Sequence, residues 1–313
     1  MVGMRSLLLV VIAVGCSSAE TSAEKPDVEA VDSGVVADSA VGTDDGVDSS
    51  ADDTTTPGSD VATGEVDAAF DAPISTKSIG CTSGKELAEG AATITVGGVS
   101  RKYTLRKPAG YTRDRAWPLV LALHPNGSNM GYFDTTTGSR AMRPLMRDKG
   151  ILVLPNARVD DWRGDLPTDL AYFEALLALL EKEMCVDTSR IFSMGFSGGG
   201  SFSGVLGCMR TDIRAIAVGG AVIYFDKTKC VGKPAAWITI GDGEAVPERI
   251  DYRDFWRTRN ECTTMTTVVP PAATCLAYKC PDPNRPVHFC SHAGGHEWPT
   301  FGAQAAWDFF TKF

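Results

Sequence analysis

A serine can act as a nucleophile only if its hydroxyl is lifted clear of the core and a base can reach it. Gly195-Phe196-Ser197-Gly198-Gly199 offers the first condition, because it follows the apolar run Arg190-Ile191-Phe192-Ser193-Met194 and precedes a helix-compatible stretch ending near Cys208. In a strand-to-helix turn of the G-x-S-x-G type the serine stands exposed at the bend, and the flanking glycines remove side chains that would collide as the backbone reverses. Ser197 is then the candidate nucleophile. The Gly198 N–H, at the start of the helix, is a candidate donor to a developing oxyanion. Without further support the same pentapeptide is a glycine-rich turn.

The base must be a histidine on a late loop, and His296 in Gly294-Gly295-His296-Glu297-Trp298-Pro299, before the last helical stretch, has that position. The chain has three other histidines. His288 lies in the strand-like alternation Pro286-Val287-His288-Phe289-Cys290 and reads as a packed residue. His292 is four residues from His296, yet the intervening Gly294-Gly295 argues against the helix that a zinc-binding H-x3-H pair uses, so no metal is expected. His124 ends the apolar run Leu119 to Leu123 and reads as a buttress of the following turn. Backbone groups near Asn126 and Gly127 in that turn are the expected second oxyanion donors. The acid should follow the next strand after the elbow, Ala235 to Ile240, which leads into Gly241-Asp242-Gly243-Glu244; either Asp242 or Glu244 can orient the imidazole. Trp162, Trp298, Tyr132 and Phe133 are candidates for stacking on an aromatic acyl group or a sugar.

Elements of a particular kind must hold these groups. Apolar strand candidates at Leu119–Leu123, Ile151–Leu154, Ile191–Met194, Ala215–Val218 and Trp237–Ile240 alternate with helical stretches, the clearest at Leu170–Met184 and Ala303–Phe313. That alternation predicts an α/β domain with a mostly parallel central sheet flanked by helices. Arg101–Leu105 is expected as an early antiparallel edge strand. Residues 79–313 suffice for one such domain with a sizeable core.

Residues 1–15, with Arg5 and an apolar run from Leu7 to Val14 too short to span a bilayer, read as a signal peptide. Ala13-Val14-Gly15-Cys16 resembles a lipobox, which makes Cys16 the expected lipidated residue; cleavage after Ala19 is the alternative. Between residues 17 and 78 there are 15 acidic and 2 basic residues, so this segment accounts for more than the whole chain's net charge of −9. Residues 16–78 therefore read as a lipidated N-terminus and disordered acidic linker, and the low pI says nothing about the substrate. Nine cysteines less Cys16 leave eight, an even number that in an exported chain predicts four disulfides.

Taken together, Gly84-Lys85 after Cys81, the loop at His124, Pro155-Asn156 with Trp162 and Asp169, Cys185-Val186-Asp187 leading to the elbow, Arg259-Asn260-Glu261-Cys262, Tyr278, Cys280, Val287, Cys290 and the Gly-Gly-His-x-Trp-Pro exit resemble a known family. It is the secreted esterase family of polyhydroxybutyrate depolymerases, feruloyl esterases and acetylxylan esterases. The resemblance spans 79–313 and implies an α/β-hydrolase fold and a Ser197–His296–acid triad needing no cofactor. That family usually carries His-Gly-x-x-Asp at the acid loop; matching residue by residue puts Glu244 at the acid, with Asp242 a step early. The implied function is hydrolysis of plant cell-wall feruloyl or acetyl esters. The alternatives are polyhydroxybutyrate depolymerisation and an inactive surface binding module. The expected partner is a polysaccharide-linked or polyester substrate met by a monomer at the cell surface, with no nucleic acid and membrane contact only through the lipid.

Overall fold

A computed structural model describes residues 76–313; the leader, Cys16 and the acidic segment up to residue 75 lie outside the described residues. The strands are β1 (Gly90–Val96), β2 (Val99–Arg106), β3 (Trp117–Leu123), β4 (Ile151–Pro155), β5 (Val186–Phe196), β6 (Ile213–Gly219), β7 (Ala235–Gly241), β8 (Thr266–Val268), β9 (Cys275–Tyr278) and β10 (Val287–His292). The helices are α1 (Gly80–Ser83), α2 (Met142–Met146), α3 (Leu166–Glu183), α4 (Gly198–Met209), α5 (Pro247–Arg259) and α6 (Gly302–Phe310).

The strands form one sheet in the order β1-β2-β4-β3-β5-β6-β7-β10-β9-β8, whose six central members from β4 to β10 run parallel. β3, β4 and β7 are buried at every residue, as unbroken apolar runs must be when helices cover both faces. Alternation along β3 divides the core. Leu119, Leu121 and Leu123 join one cluster with α3, α4 and α5, whereas Val120 and Ala122 join another with α2 and α6. Asp165 caps α3 by accepting the Thr168 N–H, and Asp169 in its first turn forms a buried ion pair with Arg101 of β2. The architecture is that of the α/β-hydrolase fold.

Three expectations change. The segment Arg101–Leu105 is not an edge, because β1 pairs outside it through the Gly97-Gly98 turn. Contacts to the domain begin before residue 79: Thr188 donates to the Thr76 carbonyl, and the Ser78 hydroxyl donates to Met184 O. The even cysteine count predicts four disulfides, but three are closed, Cys81–Cys185, Cys262–Cys280 and Cys275–Cys290. Cys208 and Cys230 are buried free cysteines close enough to interact, the Cys208 thiol being pushed up in pKa and the Cys230 thiol down by the other. Parity counts partners; it does not say that neighbours are bonded.

Candidate active site

Ser197 caps α4 with φ 55° and ψ −121°, a left-handed conformation that a side chain adopts only under constraint. The constraint is local packing. The Ser197 N–H donates to Gly219 O at 2.8 Å, and a Cβ on Gly195 would lie 2.4 Å from the Gly199 carbonyl. A Cβ on Gly199 would in turn lie 2.3 Å from Leu123 O, so both glycines permit the helix to start hard against the ends of β3 and β5. Ser197 is thereby presented at the carboxyl edge of the sheet.

His296, on the loop after β10, approaches with Nε2 2.8 Å from Ser197 Oγ. Its Nδ1 meets Glu244 Oε2. A carboxylate accepts from Nδ1–H, so the imidazole proton sits there and the Nε2 lone pair faces the serine hydroxyl. Glu244 belongs to the 3-10 turn Asp242–Glu244 after β7, and its Oε1 accepts the Gly241 N–H at 3.3 Å. The acid end of this relay is buried, with the Glu244 side chain 6% exposed; the base end is open, with His296 at 40%. Asp242 is exposed and has no contact with His296. Of the two carboxylates left open by the sequence, the structure brings only Glu244 to the imidazole, because the tight turn points one residue outward and the other in.

Two residues of this cluster escaped sequence reasoning. Arg249, in the first turn of α5, places Nε 2.9 Å from Glu244 Oε2 and 3.3 Å from Gly220 O, with Nη2 3.1 Å from His296 Nδ1. Its only sequence signal is a cation shortly after the acid loop, which matches no motif. Gly220 has φ 56°, and a Cβ there would lie 2.8 Å from His296 Nδ1, so no other residue leaves room for the base.

The oxyanion candidates need one correction. The Gly127 N–H donates to Asp160 O at 2.7 Å and is not free to bind a substrate. Asn126 and Gly198 remain; neither backbone N–H has a partner among the described residues. The aromatic candidates need another. Trp162 is fully buried, donating from Nε1 to His124 O, and Phe133 and Trp298 are buried in the opposite core cluster. These three are packing residues beneath the site's loops and not exposed stacking faces. Tyr132 keeps partial exposure, parallel to Phe196 with centroids 6.2 Å apart and under the Arg140 guanidinium.

The other histidines have structural surroundings. His124 Nε2 accepts the Ala157 N–H and its Nδ1 faces Pro125 O, tying together the loops after β3 and β4, and burial pushes its pKa down. His288 packs against Phe309 in the core, where burial lowers its pKa to about 4. His292 faces the Ala293 carbonyl and Phe301, not His296. Among the described residues no group of three or more His, Cys, Asp or Glu is placed to hold a metal ion.

No family model matches the chain. It is similar to feruloyl esterase D of Neurospora crassa, 29% identical over 266 residues that cover 75% of this chain and 90% of the relative. A probable feruloyl esterase C of Aspergillus niger is 28% identical over 256 residues, covering 74% and 90%. Among solved structures, a ferulic acid esterase from Anaeromyces mucronatus superposes with TM-score 0.52 at 18% identity, covering 72% of this chain and 90% of that one. Esterase 2 of Thermogutta terrifontis, phosphorylated by paraoxon, gives 0.51 at 12% identity, covering 72% and 93%. At those identities the two structures speak to the fold alone.

Proposed function

We propose that this chain, which belongs to the esterase family of the feruloyl esterases and is a carboxylic ester hydrolase, is an exported serine esterase acting on feruloyl esters carried by plant cell-wall polysaccharide. One observation carries the mechanism: a single hydrogen-bonded line from Ser197 Oγ through His296 to the buried Glu244. Ser197 adds to the ester carbonyl as its proton passes to His296 Nε2, and Glu244 stabilises the imidazolium. The collapsing tetrahedral intermediate expels the alcohol, which takes that proton and leaves an acyl-serine. Water, deprotonated by the same imidazole, then releases the acid. Gly198 N–H and Asn126 N–H receive the charge that grows on the carbonyl oxygen.

The substrate class draws on the relatives, which carry the name feruloyl esterase over about three quarters of this chain. An exposed base end also suits an ester that projects from a polymer, since no deep pocket has to swallow the chain that bears it. Export is supported by the leader and by three closed disulfides, which persist in oxidising compartments. The leader, Cys16 and the acidic tether complete the reading as a surface-anchored enzyme.

Kinetics on feruloylated arabinoxylan oligomers, acetylxylan and 3-hydroxybutyrate oligomers, each with wild type and Ser197→Ala, test it. The expected result is highest kcat/KM on the feruloyl substrate and a loss of several orders of magnitude in Ser197→Ala. Preference for the acetyl or hydroxybutyrate substrate would reassign the acyl group. A folded Ser197→Ala protein with wild-type activity would remove the mechanism.

A further inference from the structure

With the Gly127 N–H bonded to Asp160 O, the loop after β3 has lost one of the two backbone donors expected of it, and Asn126 is left to supply that side of the site. Its side chain is unusually placed. A Cβ built on Gly198 would lie 1.9 Å from Asn126 Oδ1, 2.3 Å from Cγ and 2.7 Å from Nδ2, so the amide rests directly against the Cα of the residue that follows the nucleophile. The two ends of the amide are chemically distinct there. Oδ1 accepts the Trp162 backbone N–H at 3.0 Å, an assignment that a donor partner forces, and Nδ2 is therefore the other arm. Nδ2 has no partner among the described residues, although Asn126 is only partly exposed. An anchored amide packed on Gly198 thus carries an N–H2 that is unpaired among the described residues, at the N-terminal end of a helix whose first amides also lack partners.

We propose that Asn126 is a catalytic residue through its side chain: Nδ2 donates a hydrogen bond to the ester carbonyl oxygen and, more strongly, to the oxyanion formed when Ser197 adds. The proposal rests on Ser197 as nucleophile. In the addition step the Ser197 Oγ–C bond forms, the carbonyl π pair moves onto oxygen and the serine proton goes to His296 Nε2. Asn126 exchanges no atom or electron pair; it offers a fixed dipole to the charge that appears. The Trp162 bond holds the amide in place beforehand, so little reorganisation accompanies the reaction, which is the condition under which such donors are most effective.

Asn126→Asp is the discriminating variant, because the aspartate keeps the shape and the acceptor for Trp162 N–H while exchanging the donor for an oxygen. Asn126→Ala removes the donor without adding charge. The expected result for Asn126→Asp is a fall in kcat on the order of a hundred- to a thousandfold with KM within a fewfold, at unchanged melting temperature. Asn126→Ala should lose at least about tenfold in kcat. Affinity for a boronate that forms a tetrahedral serine adduct should weaken in step with kcat/KM, while ferulamide, a neutral planar analogue, should bind within a fewfold of wild type. Either folded variant keeping kcat within about threefold of wild type, or weakening ferulamide and boronate equally, overturns the proposal. Phosphonate labelling of Ser197 in the wild type is run alongside; its absence would instead overturn the nucleophile assignment, and is distinguishable for that reason.

Discussion

Glutamate to glutamine at 244 removes one charge and almost no volume, which makes it the sharpest probe of the relay. Two donors meet the native carboxylate, His296 Nδ1–H on Oε2 and the Gly241 N–H on Oε1, and the Arg249 guanidinium, whose Nε–H donates to Gly220 O, lies in ion-pair contact with Oε2. A carboxylate accepts both bonds and matches the cation. A glutamine amide cannot, since one of its ends is a donor. With its NH2 toward Gly241, two N–H groups face each other in a site where the side chain is 6% exposed. With its NH2 toward His296, it faces the Arg249 cation and donates to Nδ1, which moves the imidazole proton to Nε2 and leaves no lone pair to receive the serine proton. Either placement forfeits the productive tautomer or a buried hydrogen bond, and both forfeit the anion that stabilises the imidazolium. A cost of about three to four decades in kcat follows by analogy with such substitutions in serine hydrolases, or about 4–5.5 kcal/mol of barrier. The assay is steady-state hydrolysis of methyl ferulate near neutral pH, with melting curves to confirm folding, and with Asp242→Asn as the control. The exposed Asp242 should change kcat by about twofold or less. Glu244→Gln within tenfold of wild type, or Asp242→Asn as the more damaging change, would refute the assignment.

Arg249 should act on kcat and not on KM: Arg249→Met removes the cation paired with the buried Glu244 and should lower kcat about 10- to 100-fold, with partial recovery in Arg249→Lys. A variant that raised KM alone would show that the guanidinium serves the substrate instead. The buried His288 should make the fold acid-sensitive: its folded pKa, about 4, lies below the ordinary histidine value, so the unfolded chain binds more protons between about pH 6.5 and 4 and stability falls as pH drops through that window. The loss is about 3 kcal/mol at most, with the buried His124 adding in the same direction; urea titrations at pH 7, 5 and 4 should show His288→Leu with a flatter profile, and an unchanged slope would refute the cause.

What the sequence discloses divides along physical lines. Ser197 and His296 are legible because turn geometry demands glycines around them, and glycine spacing survives as a motif. The central strands are legible because burial on both faces leaves unbroken apolar runs. Arg249 and Gly220 are not legible, since their roles depend on which segments the fold brings within 3 Å. The carboxylates at 242 and 244 are both acidic and both in a turn; only the direction in which that turn points separates them. Trp162, Phe133 and Trp298 misled for the opposite reason. Aromatics near a site in sequence can equally be the packing beneath it, and all three are buried.

The far edge of the sheet is held differently from its centre. The elbow strand β5 is wedged between β3 and β6 in the middle of the sheet, whereas β10, which carries the base loop, lies between β7 and β9 with only the short, wholly exposed β8 beyond. Two bridges lie in this region: Cys275–Cys290 joins β9 to β10, and Cys262–Cys280 ties the end of α5 to the segment after β9. Covalent ties stand where a core would otherwise be needed, which frees the intervening residues from the demands of packing. The stretch from 263 to 274 is thus the part of this scaffold most tolerant of insertion and sequence drift. New loops could be elaborated there beside the base while the nucleophile strand stays under strict steric selection. Diversification of the scaffold is accordingly expected to be lopsided, concentrated on the crosslinked flank.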